Sequence, residues 1–139
     1  MLDVSIDSAL SDVMSKVPEC VFSGYLDLEV GMMIGAQGTD FYTDTVIDNL
    51  AAAVINMFES SHSISIEGAF RQATGREHEL EPYFRELAVA TPGHLHVFVR
   101  ADGNDNRILC VVSNSSAGAK AVLDAARSAA GQIEKAAGR

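Results

Sequence analysis

A chain of 139 residues with 47% hydrophobic and 21% charged residues has the length and composition of one globular domain, and it is too apolar to be disordered. Its formal net charge of −9, from 19 acidic and 10 basic residues, argues against nucleic acid as a partner, because nucleic-acid binders use Lys and Arg to displace phosphate counterions. Anionic membrane surfaces are disfavoured for the same reason. We therefore expect residues 1–139 to form a single domain that binds neither nucleic acid nor membrane.

The first third of the chain predicts a helix followed by a β-hairpin. The helix ends before Pro18, whose ring and missing N–H prevent its continuation. Residues 20–29 favour a strand because they are rich in β-branched and aromatic side chains, and residues 32–35 favour a short second strand after the turn at Val30-Gly31. The helix is indicated by apolar residues that recur at helical spacing: Ile6, Leu10, Val13 and Val17.

A long middle helix is predicted over residues 42–59, with Asp40 or Thr43 as its N-cap. Its apolar residues cover an arc of roughly 200° on a helical wheel, whereas packing on one sheet face needs an arc of only about 100°. Either the segment that follows covers the excess, or the excess forms a second contact surface such as a dimer interface. The apolar residues are Val46, Ile47, Leu50, Ala51, Ala53, Val54, Ile55, Met57 and Phe58.

Residues 60–82 have the least regular pattern in the chain. Residues 60–63 predict a loop, and Ser65 is a candidate cap for a short helix that ends at Gly75. Pro82 closes the segment.

The remainder of the chain predicts three strands and a closing helix. Residues 91–93 and 101–106 are rich in turn-forming residues and separate the strands. Residues 108–112 are continuously apolar, as in a central strand that is buried on both faces. The predicted order α-β-β-α-(α)-β-β-β-α is that of an α+β fold. The three strands and the helix are predicted at residues 83–90, 94–100, 107–113 and about 117–136.

Few residues suggest chemistry. His94 and His96 lie two apart on a strand and therefore on one face, where two imidazoles can begin a metal site, but no third ligand is evident, so a solvated strand face is favoured. Cys20 and Cys110 form no CxxC pair and are interpreted as free, buried thiols. The chain has no GxxxxGK[ST] or GxGxxG loop and no GxSxG elbow. We expect no catalytic residues, no cofactor and no metal.

The location of the protein is expected to be cytoplasmic. The N-terminus lacks a basic segment followed by an apolar one, and no stretch approaches the ~18 apolar residues of a membrane span.

Two segments resemble the roadblock family, the dynein-light-chain-type domain that also occurs in bacteria and archaea. The hairpin Asp27-Leu28-Glu29-Val30-Gly31 is similar to the strand-Asp-turn-Gly-strand signature of the family, and the strand at residues 108–114 leads into an Ala-rich helix as in its members. The resemblance covers about residues 3–135. It implies a five-stranded antiparallel sheet in the order 2-1-5-4-3, with the first and last helices on one face and the middle helix on the other.

The resemblance also implies a function. Members of the family form dimers in which the third strands pair edge to edge and the middle helices pack side by side, and they serve as scaffolds or regulators of Ras-like small GTPases or motor complexes. The family usually connects the middle helix to the third strand by a short segment, whereas residues 60–82 form a long one here. That segment is therefore expected to cap or reshape the partner surface.

The sequence thus predicts a non-catalytic homodimeric adaptor or regulator, acting on a small GTPase or a signalling assembly. Its dimer or partner surface is predicted at Val46, Asn49, Ala53 and Met57. The alternative is a small-molecule sensor of profilin-like or PAS-like type, with a ligand between sheet and helix and residues 60–82 as its lid. An enzyme is the least supported interpretation.

Overall fold

A computed structural model describes residues 4–79, 82 and 84–137. Four helices, five strands and one turn of 3₁₀ helix at Ser115–Ala117 follow one another in these ranges. Their bounds in chain order are α1 Val4–Lys16, β1 Cys20–Asp27, β2 Met32–Gly38, α2 Asp44–Glu59, α3 Ser61–Ala73, β3 Glu86–Thr91, β4 His94–Ala101, β5 Asn104–Asn114 and α4 Ala119–Ala137.

The five strands form one antiparallel sheet in the order β2-β1-β5-β4-β3, as predicted. The middle strand is β5, in which Cys110 lies opposite Gly24 of β1 and opposite Phe98 of β4. Residues 108–112 are fully buried, which confirms the prediction of a central strand covered on both faces. The fold is therefore α+β, with β2 and β3 as the two outer strands of the sheet.

Helices cover both faces of the sheet, in the predicted arrangement. On one face, α1 and α4 pack over side chains that include Tyr25, Val97 and Val111. On the other face, α2 packs over side chains that include Phe22 and Ile108. Each fully buried side chain of this size contributes roughly 1.5–3 kcal/mol to folding. Among the described residues, no helix is long and apolar enough to cross a membrane.

Two predictions about the middle of the chain are wrong. The second strand does not stop at residue 35 but continues to Gly38, since Gly24 and Phe22 of β1 still pair with Ala36 and Gly38. Residues 60–63 are not a loop, because α3 begins at Ser61 directly after α2. The Ser60 hydroxyl accepts the N–H of Ser63 at 3.2 Å and so caps α3, a role predicted for Ser65.

The turns in the second half are tighter than predicted. Asp102 and Gly103 alone connect β4 to β5, so residues 104–106 belong to the strand and not to a six-residue turn. Gly103 has φ 85° and Gly93, in the turn from β3 to β4, has φ 88°. Glycine adopts this left-handed conformation at little energetic cost because it has no Cβ, and a turn of two residues is therefore sufficient at each position. The predicted start of the third strand, Tyr83, lies outside the described residues.

A partly buried ionic cluster closes the β1–β2 hairpin against β5 and α4. The Asp27 carboxylate accepts N–H groups from Glu29 and Val30 at 2.9 and 3.0 Å, and Arg107 donates to it at 2.6 Å. Glu134 of α4 lies 3.5 Å from the Arg107 guanidinium and accepts the Tyr25 hydroxyl at 2.5 Å. Burial alone would raise the pKa of Asp27, but the hydrogen bonds from Val30 and Arg107 lower it below its ordinary value.

The charge of Asp27 is predicted to stabilise the fold above its ordinary pKa. Asp27→Asn keeps an acceptor for the turn but removes the ion pair, and we expect it to lower the free energy of unfolding by about 2 kcal/mol at pH 7. The pKa of Asp27 is lower in the folded state than in the unfolded state. The difference in free energy of unfolding between the unmodified chain and Asp27→Asn is therefore complete above about pH 5, and it is lost as the pH falls below about 3.9 toward the folded-state pKa. Urea unfolding at several pH values measures it.

The control for this prediction is Asp12→Asn. Asp12 pairs with Lys16 at 2.8 Å on the exposed side of α1, where an ion pair contributes about 0.5 kcal/mol or less. Equal losses for the two variants at pH 7 would show that the cluster around Asp27 has no special role.

Candidate functional site

The middle helix α2 is positioned by its cap and by one buried side. The Thr43 hydroxyl accepts the N–H of Val46 at 3.4 Å, which selects Thr43 from the two predicted caps. Ala51, Val54 and Phe58 are buried against the sheet. Ile47, Leu50 and Ile55 are half-buried and pack against the same core. Only the remaining part of the apolar arc, which includes Ala53 and Met57, faces away from it.

The structure brings the four predicted surface residues together on one side of α2. Asn49, Ala53 and Met57 are exposed and Val46 is half-buried. At 100° per residue they occupy an arc of about 80°, next to the buried side. We call these four residues the α2 stripe. The described part of residues 60–82 does not cover it, so the apolar excess predicted for this helix remains accessible.

The outer strand β3 presents a free edge. It pairs with β4 through six register positions, and no described strand lies on its other side. Leu87 and Val89 are half-buried and turn toward the face that carries α2. Unpaired N–H and C=O groups along such an edge readily pair with another chain. The edge and the α2 stripe are the two features expected of the predicted dimer.

Arg100 holds the end of α2 beside the start of β3, and the sequence pattern did not single it out. Its side chain is buried, with the guanidinium over the Phe58 ring, 4.9 Å from the centroid. It donates to the carbonyl oxygens of Phe84 at 2.8 Å and Asp105 at 2.7 Å. Burial lowers its pKa from the ordinary value. The only signal in the sequence is an arginine directly after the apolar run at residues 97–99.

The helix α3 occupies much of the connection between α2 and β3, and a polar side chain makes its buried contact. Glu67 is 7% exposed and accepts the N–H of Phe84 at 3.0 Å. Its larger apolar neighbours Ile64, Ile66 and Phe70 are 58%, 47% and 48% exposed. The short helix predicted in this segment is confirmed with an earlier start, whereas its docking and its accessible apolar surface were not predicted.

A shallow groove of about 490 Å³ lies near the N-terminal end of α2. The Tyr42 ring in its wall stacks on Phe22 with centroids 4.6 Å apart. His94 is exposed but His96 is half-buried, so the predicted solvated face is only partly solvated, and burial together with His94 lowers the pKa of His96. The groove is not covered by α3, so the predicted lid is not formed. Its lining comes from β1, the β2–α2 connection and β4, and consists of Val21, Thr39, Phe41, Tyr42, His94 and His96.

The reactive side chains of the described residues are not assembled into a site. Within the described ranges, no three His, Cys, Asp or Glu residues are grouped so as to hold a metal ion. Both cysteines are free, as predicted, with Cys110 buried and Cys20 half-buried. They lie on neighbouring strands but opposite different residues, since Cys110 faces Gly24 and Cys20 faces Ser113.

The fold matches those of several solved structures, whereas no protein-family model and no curated protein sequence matches the chain. The gliding protein MglB from Thermus thermophilus superposes with a TM-score of 0.73 at 13% identity, over 98% of this chain and 90% of that one. A structure of MglB in a tetrameric arrangement gives a TM-score of 0.73 at 14% identity over the same shares. The Roadblock/LC7 domain from Streptomyces avermitilis gives 0.68 at 16% identity, over 96% and 98%.

These likenesses cover almost the whole chain. At such low identities they establish the architecture and not the activity. The chain therefore has the roadblock fold, as its sequence predicts.

Proposed function

We propose that residues 1–139 act as a single-domain, non-catalytic homodimeric adaptor or regulator in the cytoplasm, with a Ras-like small GTPase or a signalling assembly as its partner. The observation that carries the proposal is that the chain has both an accessible apolar stripe on α2 and a β3 edge that no described strand covers. Each is a liability in an isolated chain, and contact with a second copy removes both.

Self-association is supported by the fold. The roadblock resemblance implies edge-to-edge pairing of third strands and side-by-side packing of middle helices, and MglB has been solved in a tetrameric arrangement. In this chain the corresponding elements are β3 and α2. Val46, Ala53 and Met57 supply apolar contacts in that arrangement, and Asn49 supplies a hydrogen-bonding group at its margin.

The charge of α2 indicates the chemistry of a further partner. Asp44, Asp48 and Glu59 are exposed on a helix that has no basic residue. A GTPase surface with Lys or Arg side chains would be attracted to it, with an association rate that falls as salt increases.

The oligomeric state tests the proposal first. We expect light scattering after size exclusion to give a mass near twice 14.8 kDa that persists on dilution into the micromolar range. A mass of one chain at all concentrations would overturn the dimer. It would favour the alternative of a ligand sensor, for which the groove beside His96 is the candidate site.

Met57→Glu is expected to give a folded monomer. The side chain is 36% exposed in one chain, so the charge is tolerated there, but it would be buried without a partner in the dimer. We expect the dimer dissociation constant to rise about 100-fold, which corresponds to about 2.7 kcal/mol. Light scattering and circular dichroism measure the mass and the fold.

Val30→Glu, at the opposite edge of the sheet, is the control. Unfolding of Met57→Glu without a change in mass would place Met57 in the core.

The GTPase part of the proposal has its own test. We expect the dimer to change the nucleotide hydrolysis or exchange rate of a Ras-like small GTPase from the same organism by about fivefold or more, the lower end of typical coupling between sites. Fluorescent nucleotide release and phosphate release measure the two rates. If none of these GTPases responds to the dimer, the GTPase part is wrong and self-association stands separately.

A further inference from the structure

The orientation of α3 is opposite to that of an ordinary surface helix. A surface helix usually turns its apolar side to the core and its polar side to water. Here Glu67 is buried at the contact with the chain before β3, whereas Ile64, Ile66 and Phe70 are each about half exposed. On the helical wheel, Ile64 and Phe70 lie about 60° to either side of Glu67. Apolar surface therefore emerges along both flanks of the docked helix.

The buried carboxylate fixes where this apolar surface lies. Glu67 accepts the Phe84 N–H at 3.0 Å, and the Phe84 carbonyl accepts Arg100 at 2.8 Å. Phe84 is two residues before β3 begins. The helix is thereby held next to the start of the free edge strand, where a second copy that pairs with β3 would meet it.

The surface of α3 continues the α2 stripe. The Ser63 hydroxyl donates to the Met57 carbonyl at 2.7 Å, so the first turn of α3 lies against the last turn of α2. Ile64 is the next residue after Ser63. Four of the seven exposed large hydrophobic side chains among the described residues belong to this one region: Met57, Ile64, Ile66 and Phe70.

The α2 stripe alone is too small for a stable dimer. A standard interface buries about 800 Å² per partner. Met57 is 36% exposed, Val46 is half-buried and Ala53 has a single methyl group. A large apolar side chain presents on the order of 200 Å², so the three half-exposed residues of α3 add about 300 Å² of apolar surface. The side chains of α3 therefore add apolar area to an interface that consists otherwise of the α2 stripe and the β3 edge.

We propose that Ile64, Ile66 and Phe70 of α3 pack against a second copy of this chain and form part of the dimer interface. The inference rests on the proposed homodimer and extends it to residues 61–73, which the α2 stripe and the β3 edge do not include. It explains why a polar side chain docks the helix: Glu67 places α3 while about half of the surface of Ile64 and Ile66 stays exposed.

The test compares two double variants that remove equivalent exposed apolar side chains. Ile64→Ser with Ile66→Ser changes residues that are 58% and 47% exposed on α3, and Val30→Ser with Met32→Ser changes residues that are 61% and 52% exposed at the β2 edge. The dimer dissociation constant is measured by sedimentation over a dilution series, and circular dichroism checks the fold. We expect the α3 variant to raise the constant at least tenfold, and the β2-edge variant to leave it within twofold.

Hydrogen exchange on the unmodified chain provides a second measurement that needs no variant. Amides of α3 are expected to exchange more slowly at high concentration than at concentrations where the dimer dissociates. If circular dichroism shows that the α3 variant has lost structure, hydrogen exchange on the unmodified chain decides whether α3 lies in the interface.

The outcomes separate the two proposals. If Met57→Glu dissociates the dimer while the α3 variant and α3 exchange are unaffected, the dimer stands and the role of α3 is wrong. If the α3 and β2-edge variants weaken the dimer equally, a general loss of apolar surface explains the result and the role of α3 is also wrong. If the unmodified chain is a monomer at every concentration, the proposed homodimer itself fails.

Discussion

The structure depends on β5 being buried on both faces. Residues 108–112 have no exposed surface, and the strand lies between β1 and β4, so each side of it must be covered by a separate helical layer. A strand in this position cannot carry charged side chains, since neither face offers water to solvate them. Arg107 and the polar residues 104–106 accordingly lie at its start, beyond the doubly covered segment, where Arg107 pairs with Asp27. The placement of α1 and α4 on one face and α2 on the other follows from this requirement.

The helices on the two faces of the sheet differ in how much of their apolar surface they bury in the core. The stripe of α4, with Val122, Ala126 and Ile133 fully or almost fully buried, is used entirely for the core. Because α2 is apolar over a wider arc, burying Ala51, Val54 and Phe58 leaves Ala53 and Met57 accessible. The same face holds the open edge of β3 and the half-buried Leu87 and Val89. Part of the apolar surface of α2 thus stays accessible on this face, as expected for a chain that associates with another.

Arg100 and Glu67 link that surface to the core. Arg100 is buried between the Phe58 ring and the carbonyl oxygens of Phe84 and Asp105, and Glu67 binds the Phe84 N–H. Both backbone polar groups of Phe84, just before β3, are therefore held by buried charged side chains from β4 and α3. Buried charges of this kind add little net stability but are costly to leave unpaired, so they favour one arrangement over its alternatives. Here they fix the relation between α2, α3 and the edge strand.

The sequence by itself determined the order of the elements, the doubly buried strand and the apolar excess of α2, because each depends on periodicity within a single segment. Through the family resemblance it also determined the strand order. It predicted a short helix before Gly75 but not the start of that helix at Ser61, since Ser60 is as compatible with a loop as with a cap, and it did not predict docking through Glu67. It did not show the burial of Arg100, whose partners lie 5 and 16 residues away. Which apolar residues stay accessible depends on packing between segments distant in sequence, and only the tertiary structure could decide it.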